Sequence, residues 1–259
     1  MRVRIGRPQR RARRFAWALL TCVCALAACS TPSAAPEPLK GADRLVVAPL
    51  NLAVKLPVEL EDGVQPVRDE IIAYLQQRDA WVAVIWPSDA WELWKEAMIA
   101  TSSTKDGAQR LEKAVGIFVA ELGRNAEFSA FMLPTLVYRE AKVWGHMARW
   151  DGVSRKLPTR TRAIANARLP TLEPSLGESQ VKGAKVPGVS LHVLVFAPDG
   201  RRVFEGRGGL DLVHAVLITG SADTGHGSLV PDVNPFRNSE HLREGVALAL
   251  DAYVPTTQR

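Results

Sequence analysis

Cysteine is scarce in this chain, and its three copies, Cys22, Cys24 and Cys29, all lie within the first 29 residues. The sequence after Cys29 therefore cannot form a disulfide or a Cys-x-x-Cys metal frame. Long hydrophobic runs are also missing beyond residue 28, where no segment reaches the roughly 20 apolar residues that a membrane-spanning helix needs. We expect a domain that is stable without bridges and has no second membrane span.

Motifs for catalysis and metal binding are equally few. The five histidines are dispersed, none at the i, i+4 spacing of a helical metal site, and no Gly-x-Ser-x-Gly elbow occurs. One polar segment, residues 223–232, places Asp223, His226 and Ser228 close in sequence. Hydrolytic triads draw their members from separate elements, so a hydrogen-bonded loop is the simpler interpretation. We predict no catalytic residue, no metal and no cofactor, with a hydrolase or small-molecule binder using this loop as an alternative.

The net charge of +6 does not indicate nucleic-acid binding. Seven of the 33 basic residues are arginines within the first 14 positions, which contain no acidic residue. The rest of the chain carries 26 basic residues against 27 acidic ones, close to neutrality. A basic surface large enough for nucleic acid is therefore not expected.

The first 28 residues predict a signal peptide, with an arginine-rich start followed by an apolar run over residues 15–28. The run ends in Leu26-Ala27-Ala28-Cys29, which resembles the lipobox of bacterial lipoproteins. The resemblance implies cleavage before Cys29 and modification of its sulfur with diacylglycerol, with palmitate among the acyl chains. Ser30 in place of aspartate resembles the signal for delivery to the outer membrane, facing the periplasm. An ordinary secretory signal is the alternative.

Residues 29–43 are predicted to be the lipidated cysteine and a flexible tether, whose small, proline-rich segment 30–40 could lift the domain about 30 Å from the membrane. Residues 44–254 then carry the periodic patterns of a folded domain. The predicted segments are a strand at 44–54, a helix at 64–77, a strand at 80–86, a helix capped by Ser88, a helix at 108–124, a strand and hairpin at 131–153, a loop at 158–187, a hairpin at 189–218 and a helix at 239–253.

These segments predict an α/β domain with an α+β tendency, in which one mixed sheet of about five to six strands has helices packed on it. It opens as β-α-β and closes with a hairpin and a helix. Gly206, Gly208 and Gly209 lie inside the last predicted strand, where they indicate a bulge or a close approach of another backbone.

Tryptophan is frequent for a domain of this size, with seven copies in the chain. Trp91 and Trp94, together with Met98, have the spacing of a buried helical stripe. Trp144 and Trp150 lie in a polar hairpin, and we predict that they form an exposed partner surface.

The order of elements behind the lipobox resembles the α/β domain of periplasmic lipoproteins such as the curli-secretion channel subunit and the activators of penicillin-binding proteins. That resemblance implies a non-enzymatic role in protein contact or assembly. We therefore expect a lipid-anchored envelope lipoprotein that acts as a binding or assembly module, with a protein partner or self-assembly. A subunit of an outer-membrane secretion assembly is a further alternative.

Overall fold

The computed structural model describes residues 44–78, 80–161, 185–219, 226–231 and 236–254. They form ten strands and four α-helices. In chain order these are β1 Arg44–Val47, α1 Val64–Gln76, β2 Trp81–Val84, α2 Pro87–Ala100, α3 Gly107–Asn125, β3 Ala130–Trp144, β4 Met147–Trp150, β5 Val153–Lys156, β6 Thr159–Thr161, β7 Lys185–Phe196, β8 Arg202–Leu212, β9 His214–Thr219, β10 His226–Pro231 and α4 Ser239–Leu250. A 3₁₀ helix, Val58–Gly63, precedes α1.

The fold opens with three parallel strands in the order β2-β1-β3. Short apolar runs alternate between the two faces of this sheet, so that Leu45 and Val47 face one core and Val46 faces the other. Helix α1 covers the first face, and α2 and α3 cover the second. Parallel pairing of the first strands was predicted from the β-α-β opening, and the α/β fold class with a mixed sheet is confirmed.

Strand β3 is the central element of the larger, seven-stranded sheet. One edge pairs with β1 near Ala130 and, further along, with β4 at residues 142–144. The other edge pairs with β7 over residues 131–142, and β8 pairs with β7. Strands β6, β9 and β10 form a separate three-stranded sheet. The described residues therefore contain more strands than the sequence predicted.

Helix α4 lies unusually close to β8, and glycines make this approach possible. A Cβ atom on Gly208 would lie 1.9 Å from the carbonyl oxygen of Gly245, and one on Gly206 would lie 2.0 Å from that of Ala249. Neither position could carry a side chain without moving the helix. The predicted close approach is confirmed, and the pairing of β7 with β8 is also irregular between Val189 and Ser190.

The far half of β3 contributes to a small third core cluster, which includes no residue of the described helices. The β4–β5 hairpin bends toward β8, where the Gly209 amide donates to the Asp151 carbonyl over 3.0 Å. The Trp150 indole lies against Gly188 and Gly209 and donates to the Val189 carbonyl over 3.1 Å. This third cluster consists of Ala141, Val143, Ala148, Trp150, Val153, Leu157, Val186 and Leu212.

Several local predictions were wrong in extent. Strand β1 ends at Val47 rather than Val54, because the chain turns at Pro49, a residue that cannot donate to a ladder. Ser88 does not cap α2, since Pro87 is already the first helical residue. The predicted loop at 158–187 contains β6 and the start of β7 at Lys185, and its residues 162–184 lie outside the described part of the chain.

Candidate functional site

A cleft of about 680 Å³ lies where β1 and β2 end. The chain leaves β1 toward α1 on one face of the sheet and leaves β2 directly into α2 on the other. Connections that diverge in this way open a crevice at the carboxyl ends of parallel strands, the usual position of ligand sites in α/β sheets. The lining residues are Pro49, Leu50, Asn51, Leu52, Ala53, Val54, Lys55, Leu56, Val64, Arg68, Ile72, Val84, Ile85, Trp86, Pro87, Trp91 and Trp94.

Asn51 holds the turn that forms one wall of the cleft. Its backbone φ is 59°, in the left-handed region that asparagine tolerates better than most residues. Its side chain accepts from the Leu136 amide over 2.8 Å and donates to the Leu136 carbonyl over 3.1 Å. After β1 has ended, the Asn51 side chain thus makes the two hydrogen bonds to β3 that the backbone of β1 would otherwise make. These bonds hold the turn over residues 49–55 in place.

The walls of the cleft are apolar, and its rim exposes large hydrophobic side chains. Trp86 is 76% exposed and Trp91 55% exposed, with Val54 and Val84 nearby in the same exposed class. Trp94 is buried and packs edge-on against Phe118, with ring centroids 5.9 Å apart. The prediction of a buried stripe is thus right for Trp94 and wrong for Trp91, because the stripe runs out of the core and into the cleft.

Among the described residues of the lining, the only charged side chains are two cations, Lys55 and Arg68. Arg68 is 3.3 Å from the Asp69 carboxylate, an exposed pair on α1. Lys55 forms no ion pair within the described part of the chain. Apart from these two cations, the described lining has no ionisable side chain and no hydroxyl or thiol group, so Lys55 is the only nucleophile that it could offer.

The described residues do bring ionisable groups together elsewhere, on the face of the sheet beyond α3. The Ser190 hydroxyl donates to Asp151 over 2.7 Å, and Arg139 lies 3.1 Å from the same carboxylate. His192 hydrogen-bonds Glu205 over 3.1 Å. The pKa of His192 is lowered, first by burial and also by the charges of Arg207 and Arg139, against the hydrogen bond and charge of Glu205, which raise it. Ser190 and His192 thus have separate carboxylate partners, which is not the relay of a hydrolytic triad.

The two tryptophans predicted to form a partner surface behave differently. Trp150 is only 6% exposed and belongs to the third core cluster, so the prediction is wrong for this residue. Trp144 is 67% exposed at the tip of the β3–β4 hairpin. Its exposure is as predicted, and its role in partner binding stays a prediction.

A row of cations crosses the sheet beside Trp144. Lys142 is the register partner of Arg149 on β4 and of Lys185 on β7. Lys185 pairs with Glu140 over 2.9 Å, whereas Lys142 and Arg149 form no ion pair with another described residue. Like charges at directly opposed positions destabilise a sheet, so this row is a local cost. No pattern in the sequence indicated it, because the register was unknown.

The weak candidate loop is only partly described. His226 and Ser228 lie in β10, opposite Thr219 and Leu217, so the loop prediction is wrong there. Asp223 and Asp232 lie outside the described residues. Within the described ranges, no group of three His, Cys, Asp or Glu side chains is placed to hold a metal ion.

Cys29 and the tether also lie outside the described residues. None of the described helices is long and apolar enough to cross a membrane. No protein family, curated protein or solved structure matches this chain. Its function therefore has to be inferred from its own residues.

Proposed function

We propose that this chain is a lipid-anchored lipoprotein of the bacterial envelope that acts as a non-catalytic binding module, with the cleft at the ends of β1 and β2 as its binding site. The anchor is lipid on Cys29, and the domain faces the periplasm from the outer membrane. This proposal joins the lipobox at residues 26–29 with the properties of the cleft.

The observation that carries the binding role is the apolar rim of the cleft. Trp86 and Trp91 both line a concave site and expose their indole rings there, although burying such rings is favourable by a few kcal/mol each. Small-ligand sites are concave, mainly apolar and largely pre-formed, with volumes of about 300–1,000 Å³. The cleft has these properties, and its described lining contains no carboxylate, imidazole, hydroxyl or thiol group, which are the usual acids, bases and nucleophiles of catalysis. Binding without catalysis is the function that fits this lining best.

Site-specific photocrosslinking in the native cells tests the binding role. A photoreactive amino acid at Val54 on the rim should give a covalent adduct of defined mass under illumination. The same amino acid at Ile117, an exposed apolar position on α3 outside the lining, is the matched control and should give none. Absence of an adduct at Val54, or equal labelling at both positions, would count against the cleft as a binding site.

Replacement of Cys29 tests the anchor separately. Cys29→Ser should move the protein from the membrane fraction to the soluble fraction and abolish incorporation of radiolabelled palmitate. Cys22→Ser is the control, because this residue lies within the predicted signal peptide and should leave attachment unchanged. If the Cys29→Ser protein stays in the membrane fraction, the proposed anchor is wrong.

A further inference from the structure

The apolar walls of the cleft require a ligand with a hydrocarbon part. Leu50, Leu56, Ile72 and Ile85 line it together with the two exposed indoles. A polar ligand would lose its hydration there and gain few hydrogen bonds, because Asn51 already uses its amide on Leu136. Transfer of an alkyl chain from water to such walls is favourable for every methylene buried.

The charges of the lining indicate that this ligand also carries an anionic group. Lys55 and Arg68 are its only ionisable side chains, and both are cationic. Asp69 shares Arg68, but Lys55 has no ion-pair partner within the described ranges. A neutral hydrocarbon would leave these cations unused, and a cationic ligand would be repelled. A carboxylate or phosphate complements them, since both anions accept hydrogen bonds from guanidinium and ammonium groups.

The size and shape of the cleft favour a small molecule with one alkyl chain over a protein partner. A volume of about 680 Å³ within a single concavity suits a small molecule, whereas protein surfaces meet over broad and flatter areas. An acyl chain has no backbone amides that would need hydrogen-bond partners among these apolar walls.

From these observations we propose that the cleft binds a single-chain, monoanionic amphiphile, whose alkyl chain lies along the apolar walls and whose carboxylate or phosphate meets Lys55 and Arg68. This inference rests on the proposed function, because it names the ligand class of the same cleft. Fatty acids and lysophospholipids share the required chemistry, and both occur beside membranes.

Calorimetric titration tests the ligand class on the chain from residue 29 onward carrying Cys29→Ser, so that no detergent competes. The probes are myristate, myristoyl-lysophosphatidylglycerol and the uncharged tetradecanol. At least one anionic probe should bind about tenfold more tightly than tetradecanol, because hydrogen bonds to charged groups are the stronger ones. Comparison of the carboxylate and phosphate probes distinguishes the two sources of the anion.

Three substitutions locate the anion. Lys55→Gln and Arg68→Gln should each weaken the tighter anionic probe by about threefold, the range of exposed charge pairs, and leave tetradecanol unchanged. Lys105→Gln, which removes an exposed lysine outside the lining, should change neither. All three side chains concerned are exposed or half-buried, and circular dichroism checks that each variant is folded.

Two outcomes overturn the inference. One is failure of both anionic probes to bind, or binding that is equal for tetradecanol and insensitive to Lys55→Gln and Arg68→Gln. The other is a protein-sized adduct from Val54 in the crosslinking experiment, which supports the cleft as a binding site but assigns it a different ligand. A lipid-sized adduct supports both proposals, so failure of one is distinguishable from failure of the other.

Discussion

The two halves of β3 are built on different principles, although they belong to one continuous strand. Near Ala130 the strand pairs parallel with β1 on one edge and antiparallel with β7 on the other, and helices bury both of its faces. Near Val143 it belongs to antiparallel hairpins, and the sheet itself folds over a core centred on Trp150. The half covered by helices lies beside an apolar cleft with exposed indoles, whereas the half around Trp150 carries a row of cations on its outer face.

This difference shows how each half obtains its stability. Helices supply apolar surface to both sides of a short strand, so the first half does not depend on any one side chain. The second half has a small core in which a single large ring fills the space between β4, β7 and β8. Loss of one large side chain should therefore lower the free energy of unfolding far more in the half of β3 around Trp150.

Tryptophan-to-alanine substitution gives the largest expected effect and tests that comparison directly. Trp150→Ala should lower the free energy of unfolding by about 4 kcal/mol, because it removes a buried ring and leaves the Val189 carbonyl without its donor. Trp86→Ala makes the same chemical change at an exposed position and should cost less than about 0.5 kcal/mol. Urea unfolding followed by near-ultraviolet circular dichroism measures both. Equal losses would show that the two halves do not differ as described.

Asn51 links the turn after β1 to the middle of β3, and its replacement should give the next largest effect. Asn51→Ala leaves the amide and carbonyl of Leu136 unpaired and should cost about 2–3 kcal/mol. Asn51→Gly removes the same hydrogen bonds but accepts the positive φ without strain. The Leu136 amide should lose hydrogen-exchange protection in both variants. A neutral Asn51→Gly variant would mean that φ, and not the hydrogen bonds, explains the asparagine.

His192 makes stability depend on pH on the β7–β8 surface. Its pKa in the folded protein is lowered mainly by burial, so the unfolded chain binds the proton more readily. Stability should therefore decline as pH falls from neutrality through the ordinary histidine range and into the lower folded pKa. His192→Gln should flatten this dependence, which thermal unfolding between pH 7.5 and about 5 would reveal. An unchanged pH profile in the variant would exclude His192 as the cause.

The cation row gives the smallest expected effect, and its sign is opposite to that of the other substitutions. Lys142→Gln removes the positive charge that lies between Arg149 and Lys185, and it should stabilise the domain by about 0.5 kcal/mol. The gain should shrink in high salt, because exposed charges are screened. Lys105→Gln serves as a control without cross-strand neighbours. Destabilisation by Lys142→Gln would show that the row is not a repulsive one.

Local patterns predicted much of the fold because they follow from short-range physics. The helices over 64–76 and 107–125 came close to their predicted bounds. Apolar residues at helical spacing form one continuous buried stripe only when the segment is helical. The close approach at the glycines of β8 was also predicted, because glycines inside a strand pattern indicate a bulge or a neighbouring backbone. The candidate site was not predicted, because Trp86 and Trp91 come together with Lys55 and Arg68 only once α1 and α2 lie on opposite faces of the sheet.

The α/β class could be predicted from the amino-acid sequence, because hydrophobic periodicity depends only on residues that are close along the chain. The same holds for the lipobox predicted at Cys29, which is a motif of four consecutive residues. Tertiary structure alone decided which tryptophans are buried. Trp91 and Trp150 were assigned in reverse, because exposure depends on what packs against a side chain from distant elements. Register, likewise, placed Lys142 between two other cations, since strand pairing is fixed by the whole sheet and not by any one strand.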